Sequence, residues 1–486
     1  MLVHDRRRLR RFRRPGHLLR QTGRDLPTGP ALPDRSPLHL PDIEPSLPNE
    51  DLLDRFQRAA FDYFLETVNP QNGLVADTSR PNWPASIAVV GFALSCYPVG
   101  VERGWVTRDA AAKLTLAALR FFWNSRQGNG DDVTGHKGFY YHFLDMRTGL
   151  RAWRCELSMV DTALLMAGVL VAGAYFQGDG EDEVEVRELS EALYRRVDWR
   201  WAQGRRPTLR QGWKPKSGFL YSDWEGYNEA TILYVLAMAS PNRPASDDSY
   251  GAWTATYQWE NIHGYEVLYG GPLFMHQFSH AWIDFDGIQD AFMREKGSDY
   301  FENSRRATYI HRDYARQNPH GFSGYGDGLW GLSAGDGPGN FRARIEQRPR
   351  RFSAYAARGV PFGPDDGTIA PWSCLASLPF APEICLPALR HLTECHPEVI
   401  GKFRMPSGFN PTLANRRGFG PSGWVSEGHY GLDQGIVVLM IENHRSRLIW
   451  DLMRSSPHLR LGLRKAGFSG GWLSQPASPP TPGYVE

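Results

Sequence analysis

From Asn49 or Asp51 onward, Leu52, Phe56, Ala59, Ala60, Tyr63 and Phe64 fall on one stripe separated by polar residues, the spacing of an amphipathic helix. The next clear case begins at Thr107, a capping residue type, with Asp109 placed for the helix dipole and Ala110, Leu114, Ala118, Leu119 and Phe122 following at helical intervals. The same periodicity predicts helices at about 84–97, 157–176, 182–200, 228–240, 247–260, 287–317, 367–378, 382–395 and 433–454. Stretch 157–176 is apolar on nearly every side, so its helix is expected to be covered all round. Long segments rich in Trp, Tyr, Gly and Asp separate the helices, at 125–155, 201–227, 262–286, 318–365 and 401–432. Some should carry short strands, such as Gly138 to Leu144. No repeat of fixed period appears, which argues against a solenoid. The expected fold is all-α, an (α/α)6 toroid of inner and outer helices whose long loops carry a few short strands and the function.

Composition narrows the picture. A chain of 486 residues with 41% hydrophobic and 22% charged residues can bury a large core. Its net charge of +2 supplies no field to attract nucleic acid or an anionic membrane. No apolar run is long enough to span a membrane. Sixteen Trp and an aromatic share of 13% exceed ordinary core needs, and carbohydrate sites are one use of such an excess. The cysteines, Cys96, Cys155, Cys374, Cys385 and Cys395, lack zinc-type spacing and are expected as buried free thiols. Residues 1–48, with Arg6-Arg7-Arg8 and a Pro-rich continuation, read as a disordered basic tail without the apolar stretch of an export signal. That leaves 49–460 as one domain and 461–486 as a second disordered tail. Location is open: the chain reads as cytoplasmic from its residues alone.

The richest chemistry lies at 219–239, where Asp223, Trp224, Glu225, Tyr227, Asn228 and Glu229 crowd into a loop that runs into an apolar helix. Flat rings, an amide and carboxylates are what a sugar site needs, and Asn228 could equally cap the helix. A second pair of acids, Glu156 and Asp161, opens the most buried helix, where an unpaired carboxylate is costly. Ser158 or Asp161 could cap this helix, and Asp161 could instead be tied to Arg151 or Arg154. Glycoside hydrolysis uses two carboxyls, one protonated and one ionised, and Glu156 with Glu229 form the expected pair, with Asp161 as helper. Asp433, at the mouth of the last helix pair, is a third acid that could equally be a helix cap. Tyr140, His142, Trp259, His276, Gln277 and Asp284 complete the expected sugar contacts, although His276, Gln277 and Asp284 could instead stabilise the loop. His276, His280 and Asp284 at i, i+4 and i+8 could line one helix face as a metal site, but no acid sits beside the first His, so no metal or other cofactor is expected. The G-x-G-x-x-G match at Gly326 and the G-x-S-x-G match at Gly467 lack the strand-to-helix context that gives those motifs meaning.

Several motifs are familiar as a set. Pro84-Ala-Ser-Ile-Ala, Gly100-Val-Glu-Arg-Gly-Trp-Val-Thr107, Glu156 to Leu165, Gly226-Tyr-Asn-Glu-Ala230, Ile283-Asp-Phe, Tyr300 to Ala307, Asp365-Asp-Gly-Thr-Ile-Ala-Pro371, Leu378 to Glu383, Asp433-Gln-Gly and Ile441-Glu-Asn443 resemble the glycoamylase-like family. That family includes the endo-β-1,2-glucanases of glycoside hydrolase family 144 and the central domain of cyclic β-1,2-glucan synthases. The resemblance covers about residues 50–455. It implies the toroid, action on a β-linked glucan, most specifically β-1,2, inversion at the anomeric carbon, and acids of the active cleft at positions 156 and 229. Relatives commonly work in the periplasm. Cys155 and Asp286 depart from the pattern, the latter standing where an arginine is expected. The expected partner is an oligo- or polysaccharide. A β-1,2-glucan transglycosylase and a non-catalytic carbohydrate-binding protein on the same fold are the alternatives.

Overall fold

The computed structural model describes residues 48–416 and 418–476. These residues form 15 α-helices joined by long loops with short strands. The helices are α1 (Asn49–Glu66), α2 (Ile87–Glu102), α3 (Arg108–Asn124), α4 (Met159–Tyr175), α5 (Glu181–Arg196), α6 (Trp199–Gln203), α7 (Thr231–Ala239) and α8 (Ser249–Thr254). They continue as α9 (Ala291–Lys296), α10 (Tyr300–Gln317), α11 (Trp372–Ala376), α12 (Pro382–Cys395), α13 (Gly431–Arg445), α14 (Leu448–Ser455) and α15 (Pro457–Lys465).

Local chemistry explains where periodicity misplaced the boundaries. The helix expected over 287–317 is two, because Gly297 takes a left-handed conformation (φ 59°) and Asp299 then caps α10 by accepting from the Glu302 amide. The one expected over 433–454 breaks at Arg447 (φ 65°), giving α13 and α14. Stretch 247–260 yields only α8, and Trp259–Ile262 instead pairs with Tyr265–Leu268 as a hairpin. Thr107 caps α3 as expected, accepting from the Ala110 amide at 3.2 Å.

Helix α4 is buried on all sides except near its C-terminal end, as its composition required. It packs against α2, α5 and α7, α2 packs against α13, and α13 against α11. Helices α1, α3, α12 and α15 pack against α13, α2, α11 and α7 respectively. The α2–α4 contact is backbone on backbone: a Cβ added to Gly168 would stand 2.0 Å from the Gly91 carbonyl oxygen, and one added to Gly91 would stand 2.3 Å from that of Leu164. Only glycine permits that approach.

The expected C-terminal tail needs correction. Helix α15 runs to Lys465, Leu463 is fully buried, and the Trp472 indole donates to the Asp284 carbonyl at 2.8 Å. Apolar side chains at helical spacing past residue 460 outweigh the later prolines. The remainder, 477–486, and the basic stretch 1–47 lie outside the described residues. Cys96, Cys155, Cys374 and Cys385 are buried free thiols, whereas Cys395 is exposed at the end of α12. Among the described residues, no helix is long and apolar enough to cross a membrane.

Candidate active site

The segments that lead into α2, α4, α7 and α13 are tied to one another by main-chain hydrogen bonds. The Ile87 amide, at the start of α2, donates to the His142 carbonyl at 3.2 Å, and the His142 amide donates to that of Glu156 at 3.0 Å. Leu157–Ser158, just ahead of α4, pairs with Gly212–Lys214, which pairs in turn with Gly218–Phe219. That sheet brings in the loop before α7, because the Trp224 amide donates to the Leu209 carbonyl at 2.8 Å. On the other flank the Gly431 amide, opening α13, donates to the Asp77 carbonyl at 2.9 Å. Carboxylates carried just before or inside the first turns of these helices therefore share one end of the molecule, where helix dipoles favour negative charge.

Glu156 and Asp161 meet at one imidazole. His142 Nδ1 lies 3.1 Å from Glu156 Oε1 and its Nε2 lies 3.5 Å from Asp161 Oδ2. Glu156 precedes α4 and stays 30% exposed, so it can reach a ligand, whereas Asp161 is 12% exposed within the first turn. Ser158 is the cap, accepting from the Asp161 amide. Arg151, expected as a possible partner of Asp161, instead donates to the Cys155 and Arg154 carbonyls. The Cys155 sulfur accepts from the Phe143 amide at 3.3 Å, which helps hold the segment ahead of Glu156, and burial pushes its pKa up to about 11. Glu229 sits two residues before α7 and its carbonyl accepts from Ser279 Oγ at 2.9 Å.

Asp433, in the first turn of α13, is the acid with the most distorted environment. Burial raises its pKa well above the ordinary carboxylate range; the Ser407 hydroxyl opposes this, and the charges of Asp336 and Asp77 add to it. Its Oδ2 has no hydrogen-bond partner among the described residues, and its side chain does not cap α13. Asp336 beside it is held by Arg80, by the Tyr430 hydroxyl at 2.8 Å and by Ser426 Oγ at 2.9 Å. A cavity of about 440 Å³ opens here, lined by Arg80, Asp336, Tyr355, Phe419, Trp424 and Glu427. A larger open depression of about 770 Å³ lies beside α6, but its Asp198 is committed to capping that helix and to Arg243. Asp336 lines the smaller cavity and its charge reaches the buried Asp433, which makes that cavity the better candidate for chemistry.

Other expected contacts turn out to hold the fold together. Tyr140 is fully buried and its hydroxyl donates to the Phe122 carbonyl. The Asp223 carboxylate is 1% exposed and bound by Arg206, Arg210 and Thr208, which fixes the loop and leaves it nothing to offer a ligand. Asn228 is buried and closes the turn, donating to the Glu225 and Gly226 carbonyls and accepting from the Ala230 amide, which is why α7 starts only at Thr231. Trp224 is partly covered with its indole nitrogen enclosed, and Glu225 is exposed. Tyr227 stacks on Tyr300 and packs against His276. Trp259 lies on the hairpin against Phe292, its indole donating to Glu266.

The expected helix face for His276, His280 and Asp284 does not form. Two short 3₁₀ turns, Leu273–His276 and Ser279–Ala281, interrupt it. His276 bonds to the Gly270 carbonyl at 2.8 Å, and burial pushes its pKa down to about 4. His280 bonds to Ser304 at 3.0 Å, with its pKa driven by burial to about 3. Gln277 donates to the Ser373 carbonyl and to Ser377. Asp284 is buried beneath Arg447 and Arg454. Asp286 is exposed next to Gly287 and the C-terminal segment. Buried polar side chains satisfied by the fold look, in sequence, the same as ligand-binding ones. What sequence reasoning missed is Asp77, Arg80, Asp336 and Tyr430, drawn from three separate loops. Their only sequence signal is a cluster of polar residues in long connecting segments.

The Glycoamylase family matches residues 221–457. An exo β-1,2-glucooligosaccharide sophorohydrolase of Parabacteroides distasonis is 29% identical over 86% of this chain; the chain spans 58% of that protein's length. A solved Bacteroides uniformis structure of the family's description shares 29% identity with a TM-score of 0.77, covering 88% of this chain and 100% of that one. The endo-β-1,2-glucanase of Chitinophaga pinensis, solved with sophorotriose and glucose, shares 25% identity with a TM-score of 0.76, over 88% and 100%. Over residues 221–457 in sequence, and over most of its length in backbone, the chain is similar to proteins of the glycoamylase-like family.

Proposed function

We propose that the protein is a glycoside hydrolase that cleaves β-1,2-linked glucan with a pair of carboxyl groups and inversion at the anomeric carbon. The observation that supports the reading is that Glu156, Asp161, Glu229 and Asp433 each stand just before or in the first turn of a buried helix, in a chain similar to a sophorohydrolase and an endo-β-1,2-glucanase. In this reading α2, α4, α7, the 3₁₀ pair at 273–281, α11 and α13 form the inner ring of an (α/α)6 toroid, and residues 49–476 form its single domain. Glu156 and Glu229 flank the scissile bond. One gives a proton to the glycosidic oxygen as the bond to the anomeric carbon breaks, and the other takes a proton from the water that attacks that carbon from the opposite face. His142 holds Glu156 against Asp161, and Asp433 is the reserve acid, its burial favouring the protonated form. The relatives include both an exo-acting and an endo-acting enzyme, so chain-length selection lies in the loops.

The test is release of reducing ends from linear β-1,2-glucan, with products resolved by length and β-1,3, β-1,4 and β-1,6 glucans as controls. Glu156→Gln and Glu229→Gln are each expected to lower kcat by about 10² to 10⁴ with little change in binding. Binding without turnover by the unmodified protein would favour a sugar-binding module instead. Products longer than the starting chains would favour transglycosylation.

A further inference from the structure

Close to Glu156, one exposed aromatic stands in a conformation its side chain disfavours. Trp153 is 58% exposed and has φ 52°, and Arg154 follows at φ 50°. A bulky residue rarely adopts left-handed backbone, and two in succession persist only where the surroundings over-determine them. Here the surroundings do so: Arg151 Nε donates to the Cys155 carbonyl at 2.6 Å, its Nη2 donates to that of Arg154 at 2.8 Å, and its guanidinium covers the Tyr141 ring. The strain does not serve to bury the indole, which remains largely in water.

The Trp153 ring is backed by two others. It meets Trp83 edge to face at 5.1 Å and 80°, and Phe143 at 5.0 Å and 57°. Trp83 is fixed in turn, its indole donating to Asp77 Oδ2 at 3.3 Å with the Arg80 guanidinium over its ring. Phe143 stacks on His142 at 3.9 Å, and His142 holds Glu156. An aromatic wall thus runs from solvent at Trp153 to two of the groups around the carboxylates. Its edge is charged, with Arg80 and Arg154, which suits a ligand with apolar C–H faces and a hydroxyl edge. An apolar protein helix would need a wider and less polar face.

We propose that Trp153, braced by Trp83 and Phe143, is a stacking platform for a glucosyl unit at the entrance of the cleft on the Glu156 side, beyond the units that flank the scissile bond. The identity of the sugar rests on the hydrolase reading above. The platform selects for chain length: oligosaccharides long enough to reach it gain affinity, and shorter ones do not.

Calorimetric titration with β-1,2-gluco-oligosaccharides of increasing length tests this, using Trp153→Gly, Trp153→Phe and the unmodified protein, with turnover measured in parallel. Glycine removes the ring and suits the left-handed backbone, so the unfolding midpoint should hold while Kd for long oligosaccharides rises about tenfold. Kd for the shortest bound oligosaccharide should stay the same, and phenylalanine should restore most of the loss. Equal binding by the glycine variant and the unmodified protein at every length overturns the proposal, as does a loss that is the same at all lengths. Length-dependent binding without cleavage leaves the platform standing and removes the hydrolase. No binding of any β-glucan by the unmodified protein removes both.

Discussion

Replacing Asp433 by asparagine tests the electrostatics of the proposed active end. The carboxyl is buried beside Asp336 and Asp77, and its pKa lies well above the ordinary range chiefly because of that burial. An unfolded aspartate titrates near about 3.9, so above that pH the folded chain keeps a proton that the unfolded chain has released. The group's contribution is therefore full below the unfolded value and is lost as pH climbs toward the folded one, at about 1.4 kcal/mol per pH unit. Asparagine has nearly the same shape and no proton to lose. The variant's unfolding free energy minus that of the parent should be constant below about pH 4 and then increase by about 1.4 kcal/mol for each pH unit until the folded pKa is reached. Urea unfolding followed by tryptophan fluorescence, in steps between about pH 3.5 and 7, reads this directly. A difference that stays flat across the range would refute the burial-driven elevation. Turnover is the second readout: a fall in kcat of about 10² or more alongside the gain in stability places the proton in the reaction. Full activity would leave Asp433 outside it.

Two further substitutions separate structural roles from functional ones. Asp284→Ala leaves Arg447 and Arg454 without their buried acceptor and should cost about 3 kcal/mol in unfolding free energy with KM unchanged, since the pair is broken on one side while the arginines are partly exposed. A rise in KM without loss of stability would return Asp284 to the substrate site. His276→Ala should lower stability by about 1–3 kcal/mol by leaving the Gly270 carbonyl unpaired, and a strong chelator should leave turnover unaltered. Loss of activity with chelator, recovered by a divalent cation, would restore the metal reading.

Much of the helical frame could be read from the chain. Continuous apolar composition marked α4 as a central helix, and Thr107 marked the start of α3. Breaks at Gly297 and Arg447 were harder, because a single left-handed residue interrupts a helix without disturbing its apolar period. Glu156 and Glu229 stood out because acids next to strongly apolar helices are conspicuous. Asp77 and Asp336 did not, since each lies in a polar loop and only folding brings them near Asp433. For His276, Gln277, Asp223 and Asp284 the choice between ligand and structural role was not legible, because their hydrogen-bond partners come from distant segments or from backbone carbonyls and nothing beside them in sequence reveals that they are satisfied.

Gly91 and Gly168 let α2 and α4 touch without intervening side chains. Because Glu156 rides just ahead of α4, two absent methyl groups act as the gauge block for the groove. Adding one would wedge the helices apart and splay their leading ends, and in the hydrolase reading that shifts the gap between the acids. In the hydrolase reading, the spacing of the acids would thus be gauged from inside the packed interior, by two glycines at a helix crossing.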